Sequence, residues 1–256
     1  MEATTMLLES KNAVIYGGGG KVGGAVARTF AREGATVHLA GRTLDPLERV
    51  AGGIRDDGGV ATIAQVDALD EAAVDAHADA VARDHGTLDI TMNLVSTGDV
   101  QGTPLTEMAL ADFEQPIHNA IRSTYLTARA GARHMIRQGS GVILMFGGEG
   151  DPIRDYYIGG FQISLIAVEA LRKQLASELG RHGIRVVSLL TGGVIDAIPD
   201  EFEGRDGLVQ SLVGSTLLGR GATLDDVGNV AAFAASDRAR TITASAINIT
   251  CGAIIT

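Results

Sequence analysis

The chain has 256 residues, 45% of them hydrophobic, which suits one large α/β domain with a continuous core. Its 31 acidic side chains against 21 Lys and Arg leave a formal net charge of −10, and this argues against nucleic acid or an anionic membrane as partner, because both need a basic surface. A lone cysteine, Cys251, excludes an intrachain disulfide and fits a reducing, cytoplasmic compartment. The opening MEATTMLLESKN has an early acid and no long apolar run, so no signal peptide is expected. No apolar stretch is long enough to span a bilayer. With no repeats or low-complexity linkers, one domain over 1–256 is expected.

The first element is a short buried strand, Ala13 to Tyr16, which runs into four glycines, Gly17 to Gly20. A helix follows over Gly23 to Arg32, with Val22, Val26, Ala27 and Phe30 on one face, and Thr36 to Ala40 is the second strand. This β-α-β unit places its glycines at the first strand-to-helix turn, where backbone N–H groups and the helix N-terminus can meet a pyrophosphate. A glycine run between polar flanks would be a flexible loop; these flanks are a strand and an amphipathic helix. Further on, helices are expected from Asp45 to about Ile54, over Asp70 to Arg83, over Phe113 to Arg137 with Pro116 in its first turns, over Phe161 to Leu179, and over Leu224 to Ala235. Strands are expected at Val60 to Val66, Leu88 to Val95, Gly141 to Phe146, Ile184 to Leu190 and Ala246 to Ile249, with a mixed stretch before Leu218. Strands that alternate with helices predict a doubly wound parallel sheet of about seven strands, covered on both faces, with the ligand at the carboxyl ends of the strands.

The turn from Tyr16 to Gly23 resembles the Thr-Gly-x-x-x-Gly-x-Gly turn of the short-chain dehydrogenase/reductase family. Gly17 and Gly23 match it; Tyr16 and Lys21 replace the threonine and the middle glycine. Gly180 to Val194 and Gly219 to Gly252 resemble the family's later strand and C-terminal segment, with Thr191 in place of a proline and Thr250-Cys251 where Asp-Gly is usual. The resemblance implies a Rossmann-type fold and a nicotinamide coenzyme held by Gly17, Gly18, Gly19, Lys21, Val22 and Gly23. The Lys21 ammonium has two readings, over a phosphate or out to solvent. At the end of the second strand, Gly41 stands where an acid would bind ribose hydroxyls, and Arg42 and Thr43 follow. A small residue and a guanidinium suit a 2′-phosphate, so NADP(H) is expected over NAD(H); the alternative is a surface arginine at the start of the next helix. Asp67 and Ala68 would flank the adenine. Asn93, Leu94 and Val95 fall where the family has Asn-Asn-Ala, and the backbones of Gly192 and Val194 would face the nicotinamide amide. No metal is expected.

The family's reductases use Ser, Tyr and Lys, backed by an Asn, and the tyrosine and lysine lie one helical turn apart. FQISLIAVEALRKQLASELGRHGIRV resembles that helix, yet Phe161 stands at the tyrosine and Leu165 at the lysine, Gly148 stands at the serine, and Ala120 at the asparagine, beside Asn119. Phe161 cannot exchange a proton. Substitute groups lie just before the helix: Glu149, Asp151, Arg154, Asp155, Tyr156 and Tyr157. Tyr157 precedes Phe161 by four, so an early helix start would put both on one face, and the Arg154 cation would favour a phenolate. The competing role for both tyrosines is packing in a lid or subunit interface. His118 is a further titratable candidate, or a surface histidine. The leading expectation is an NADP(H)-dependent short-chain oxidoreductase with a non-standard proton donor. Its substrate is a small apolar carbonyl, enone or alcohol, lined by Phe146, Phe161, Leu165, Ile195 and Ile198. The alternatives are a catalytically inactive NADP-binding protein and a non-redox isomerase or dehydratase. A homotetramer or homodimer is also expected.

Overall fold

Apolar runs with β-branched residues alternate with amphipathic segments along the whole chain, and they build a doubly wound sheet. The computed structural model describes residues 6–148, 157–202 and 204–255. Its strands are β1 (Asn12–Tyr16), β2 (Thr36–Gly41), β3 (Val60–Gln65), β4 (Ile90–Asn93), β5 (Gly141–Gly147), β6 (Ile184–Leu190) and β7 (Ser245–Asn248). They form one seven-stranded sheet in the order β3-β2-β1-β4-β5-β6-β7, with every pairing parallel. The crossovers are α1 (Lys21–Arg32), α2 (Leu44–Asp56), α3 (Glu71–His85), α4 (Leu110–Gln138), α5 (Phe161–Leu179), α6 (Arg205–Gly214) and α7 (Leu224–Ala235).

Two cores result. Ala13, Ile15, Val37 and Leu39 point to the side covered by α1, α2 and α7, around Phe30, Leu47 and Val227. Val14, Tyr16, Ile143 and Met145 point to the side covered by α3, α4 and α5, around Val74, Leu126 and Val168. The chain order reverses between β1 and β4, so the carboxyl ends of these strands open a crevice. Among the described residues no helix is long and apolar enough to cross a membrane.

Three boundaries differ from the sequence reading. α1 starts at Lys21, directly after the glycines, with Gly20 as its N-cap. α4 starts at Leu110, so Pro116 lies beyond the first turn, in the helix interior. Beside it α5 begins very close: a methyl on Gly160 would overlap the Phe113 carbonyl oxygen and meet Pro116 Cγ at 3.2 Å. The mixed stretch before Leu218 contains α6, which buries no residue.

A polar network sits under the α3-covered face. His38 of β2 is fully buried; its Nδ1 meets Thr62 Oγ1 at 2.8 Å and its Nε2 lies 3.4 Å from Asn12 Oδ1. Burial, followed by the neighbouring rings of His85 and His77, pushes its pKa from 6.5 down to about 4. The unfolded chain therefore binds a proton that the native protein refuses between these values. Stability is complete above pH 6.5 and falls as the pH drops towards 4, by about 3 kcal/mol from this group. Urea melts of His38→Gln should show a shallower loss between pH 7 and pH 4 than the natural protein. Parallel losses in both would remove His38 from the acid response.

Candidate active site

The crevice between β1 and β4 deepens into a cleft of about 400 Å³. Gly17, Gly19 and Gly20 form one wall, Arg42 and Thr43 the β2 end, Asp67 and Ala68 the β3 end, and Leu94 and Val95 the β4 end. Eight of the residues expected from sequence to hold a coenzyme thus come together here. The cleft also takes in Ser96, Gly98, Gln115 and Asn119, which were not assigned to it from sequence. Gln115 and Asn119 sit one turn apart on α4, and Asn119 Nδ2 donates to the Thr97 carbonyl at 3.0 Å. That spacing is the signal that marks them.

The turn is shaped by glycine. Gly17 adopts φ +80°, and a side chain there would overlap the Leu94 carbonyl oxygen. A methyl at Gly23 would overlap the carbonyl oxygen of Gly17, so α1 presses directly on the turn. Gly18 lies behind, 2.8 Å from Leu39 Cδ2 in the same test. The N–H groups of Gly17 and Gly18 go to the Ala40 carbonyl, Gly20 N–H goes to Gly17 O, and Gly24 N–H to Gly20 O. Among the described residues the N–H groups of Gly19, Lys21, Val22 and Gly23 find no acceptor. Free donors at a helix N-terminus, beside a glycine-lined cleft, are a chemical match for the pyrophosphate of a dinucleotide.

Around this cradle the other expected residues do different work. The Asn93 amide donates to Ser123 Oγ at 2.9 Å and Thr124 Oγ1 at 3.0 Å, and its oxygen accepts from Val95 N–H at 3.2 Å. It pins the end of β4 to α4. Asp67 Oδ1 caps Leu69 N–H at 3.0 Å, and Gln65 Nε2 holds the Arg42 carbonyl at 2.9 Å. The Arg42 side chain is exposed at the cleft wall. Val22 packs against the α1-side core. Val194 bridges to Ala222, and Gly192 packs near Thr250 and Ala253; neither lines the cleft. Lys21 Nζ donates to the Ile198 carbonyl.

The positions aligned with the family's catalytic groups lie on β5 and α5. Gly148 follows β5, and a methyl there would stand 3.0 Å from the Thr191 carbonyl oxygen and 3.2 Å from Leu165 Cδ1. Phe161 and Leu165, at the start of α5, are half-buried. One turn further, Glu169 accepts from Arg172 Nε at 2.8 Å through Oε2, while its buried Oε1 has no hydrogen-bond partner. Tyr157 does not share a helical face with Phe161, because α5 begins only at Phe161. It is 42% exposed with φ +52°, a left-handed conformation uncommon for a non-glycine residue. Its carbonyl accepts from Gly102 N–H at 2.9 Å. His118 is exposed on α4 and does not line the cleft. Glu149, Asp151, Arg154, Asp155 and Tyr156 lie outside the described residues.

Comparison with known proteins agrees with this architecture. The family model described as enoyl-(acyl carrier protein) reductase matches residues 20–253. A gluconate 5-dehydrogenase of Gluconobacter oxydans is 27% identical over 229 residues, 90% of this chain and 89% of the relative. An uncharacterized oxidoreductase of Bacillus subtilis is 30% identical over 245 residues, 92% of this chain and 88% of the relative. A solved short-chain dehydrogenase/reductase from Serratia marcescens superposes with a TM-score of 0.84 at 27% identity, over 96% and 98% of the two chains. By sequence and by fold, the chain belongs to the short-chain dehydrogenase/reductase family of oxidoreductases.

Proposed function

We propose that this protein is an NADP(H)-dependent oxidoreductase for a small, largely apolar carbonyl, enone or alcohol, with a proton donor other than the family's tyrosine. The observation that carries the reading is the cradle of unpaired N–H groups at Gly19, Lys21, Val22 and Gly23 beside a cleft that ends at Gly41 and Arg42. The coenzyme, when bound, supplies or accepts the hydride. The chain's own part is to hold the pyrophosphate on α1, to receive the adenosine between β2 and β3, and to exclude water at the reacting end with Phe161 and Leu165. Gly41 leaves room for a 2′-phosphate, and the Arg42 guanidinium, which has no hydrogen-bond or ion-pair partner among the described residues, is available to pair with it. Tyr157 is our candidate donor, because its left-handed backbone holds an exposed phenol-bearing residue in an unfavourable conformation next to α5. A second reading, a coenzyme-binding protein without turnover, draws on Phe161 and Leu165, which bring no titratable group to the site.

Fluorescence titration of the natural protein and of Arg42→Ala tests the coenzyme assignment. NADPH should bind more tightly than NADH. Arg42→Ala should weaken NADPH by roughly tenfold to a hundredfold, as for a lost charge-assisted contact, and leave NADH unchanged. Equal affinities in the natural protein, or tighter NADH, would remove the 2′-phosphate argument.

A further inference from the structure

Lys21 joins two segments far apart in the chain. It is the first residue of α1, and its Nζ donates to the Ile198 carbonyl at 3.4 Å. Ile198 ends the short turn Ile195–Ala197, which leads the chain from β6 towards α6. That segment is thinly anchored. Val194 bridges to Ala222, Ile195 N–H donates to the Ala222 carbonyl, Leu224 N–H donates to Asp196 Oδ2 at 3.2 Å, and α6 buries nothing. No carboxylate pairs with the Lys21 ammonium among the described residues, and of its three protons the Ile198 carbonyl takes one. Its own backbone N–H is one of the unpaired donors of the cradle. The residue therefore offers a fixed donor and a movable cation at the same place.

We propose that Lys21 is a strap: its ammonium binds the pyrophosphate of the coenzyme while it holds Ile198, so that coenzyme binding fixes the segment from Ile195 to Gly214 over the cleft. This rests on the coenzyme reading above. Without coenzyme the strap is one long neutral-acceptor hydrogen bond on an exposed side chain, and the segment opens readily. A phosphate oxygen gives the ammonium a charge-assisted bond roughly twice as strong. Once the side chain is immobilised by that bond, its contact with Ile198 costs little further entropy. The pyrophosphate is common to NADPH and NADH, so the strap does not distinguish them. That separates it from Arg42, whose partner is the 2′-phosphate.

Lys21→Met keeps the aliphatic stem and removes the charge; Lys21→Arg keeps the charge. Two quantities are measured in each: dissociation constants for NADPH and NADH at low and high salt, and the rate of tryptic cleavage after Arg205 with and without coenzyme, followed by mass spectrometry. Lys21→Met should lose about tenfold in affinity for both coenzymes, a loss that shrinks at high salt. Coenzyme should slow cleavage at Arg205 in the natural protein and in Lys21→Arg, and not in Lys21→Met. A Lys21→Met protein that binds both coenzymes as tightly as the natural one, or whose Arg205 is protected to the same degree, overturns the strap while the coenzyme reading stands. A natural protein that binds neither coenzyme overturns the coenzyme reading and the strap with it.

Discussion

Gly23→Ala should cost the protein nearly all of its coenzyme affinity and roughly 5–10 °C of thermal stability. The reason is a stack of backbones with no room for a methyl group. α1 presses on the glycine turn so closely that a β-carbon at position 23 overlaps the Gly17 carbonyl oxygen and stands 3.0 Å from Gly18 Cα. Gly17 has nowhere to retreat, because it sits at φ +80° against the Leu94 carbonyl at the end of β4. Both neighbours are main chain, so neither yields by a change of rotamer. Overpacking of this kind costs about 1–3 kcal/mol, and for a domain of this size each kcal/mol is worth roughly 2–4 °C. The displacement also spreads the N–H groups of Lys21, Val22 and Gly23 that form the cradle. Gly20→Ala is the control for folding. Gly20 has φ −76° and ψ 168°, which any residue adopts, and its nearest neighbour in the same test is 3.4 Å away. That variant should melt within about 2 °C of the natural protein, since its site shows neither strain nor overlap. A Gly23→Ala protein with natural melting and NADPH binding would show that α1 slides away from the turn without penalty.

The cradle was legible in the sequence because its physics is local: four glycines between an apolar strand and an amphipathic helix have few other uses. The sheet was legible for a similar reason. Parallel strands buried on both faces, such as Val142 to Met145 and Val186 to Leu190, read as unbroken apolar runs. α6 was not legible, since a helix that buries no residue has no apolar stripe to reveal its period. The early start of α4 was hidden by Pro116, which normally marks a first turn and here lies deeper in the helix. Gln115 and Asn119 resemble the solvated face of any long helix, and only the fold turns that face into a wall of the cleft. Nor can either end of the Lys21–Ile198 contact announce the other, because the two residues are 177 apart in the chain. The expected face shared by Tyr157 and Phe161 failed on a matter of one helical turn, which propensity does not resolve.

Phe161→Tyr combined with Leu165→Lys should give this protein ketone reductase activity with NADPH. The two positions lie one turn apart at the start of α5, and the close approach of Gly160 to Phe113 and Pro116 fixes where that helix begins. A phenol and an ammonium on these sites would meet, and the ammonium would favour the ionised phenol. A half-buried lysine normally costs stability. Here the carboxylate of Glu169, one turn along and leaning towards the helix N-terminus, has an Oε1 with no hydrogen-bond partner, so the new charge finds an acceptor. Gly148→Ser should be added last. Leu165→Lys removes the leucine branch that a serine β-carbon would touch, but the Thr191 carbonyl remains 3.0 Å away and belongs to the backbone. Tyr157→Phe completes the comparison. In the natural protein it should lower turnover on the true substrate by roughly a hundredfold and leave NADPH affinity unchanged, as for loss of a general acid. In the double variant it should have no effect on ketone reduction, because the new phenol on α5 does that work. Unchanged turnover in Tyr157→Phe would remove the displaced tyrosine from the mechanism. A double variant that is folded by circular dichroism, binds NADPH and still leaves ketones untouched would mean that the substrate carbonyl does not reach α5. The proton donor would then have to be sought along the cleft wall formed by α4.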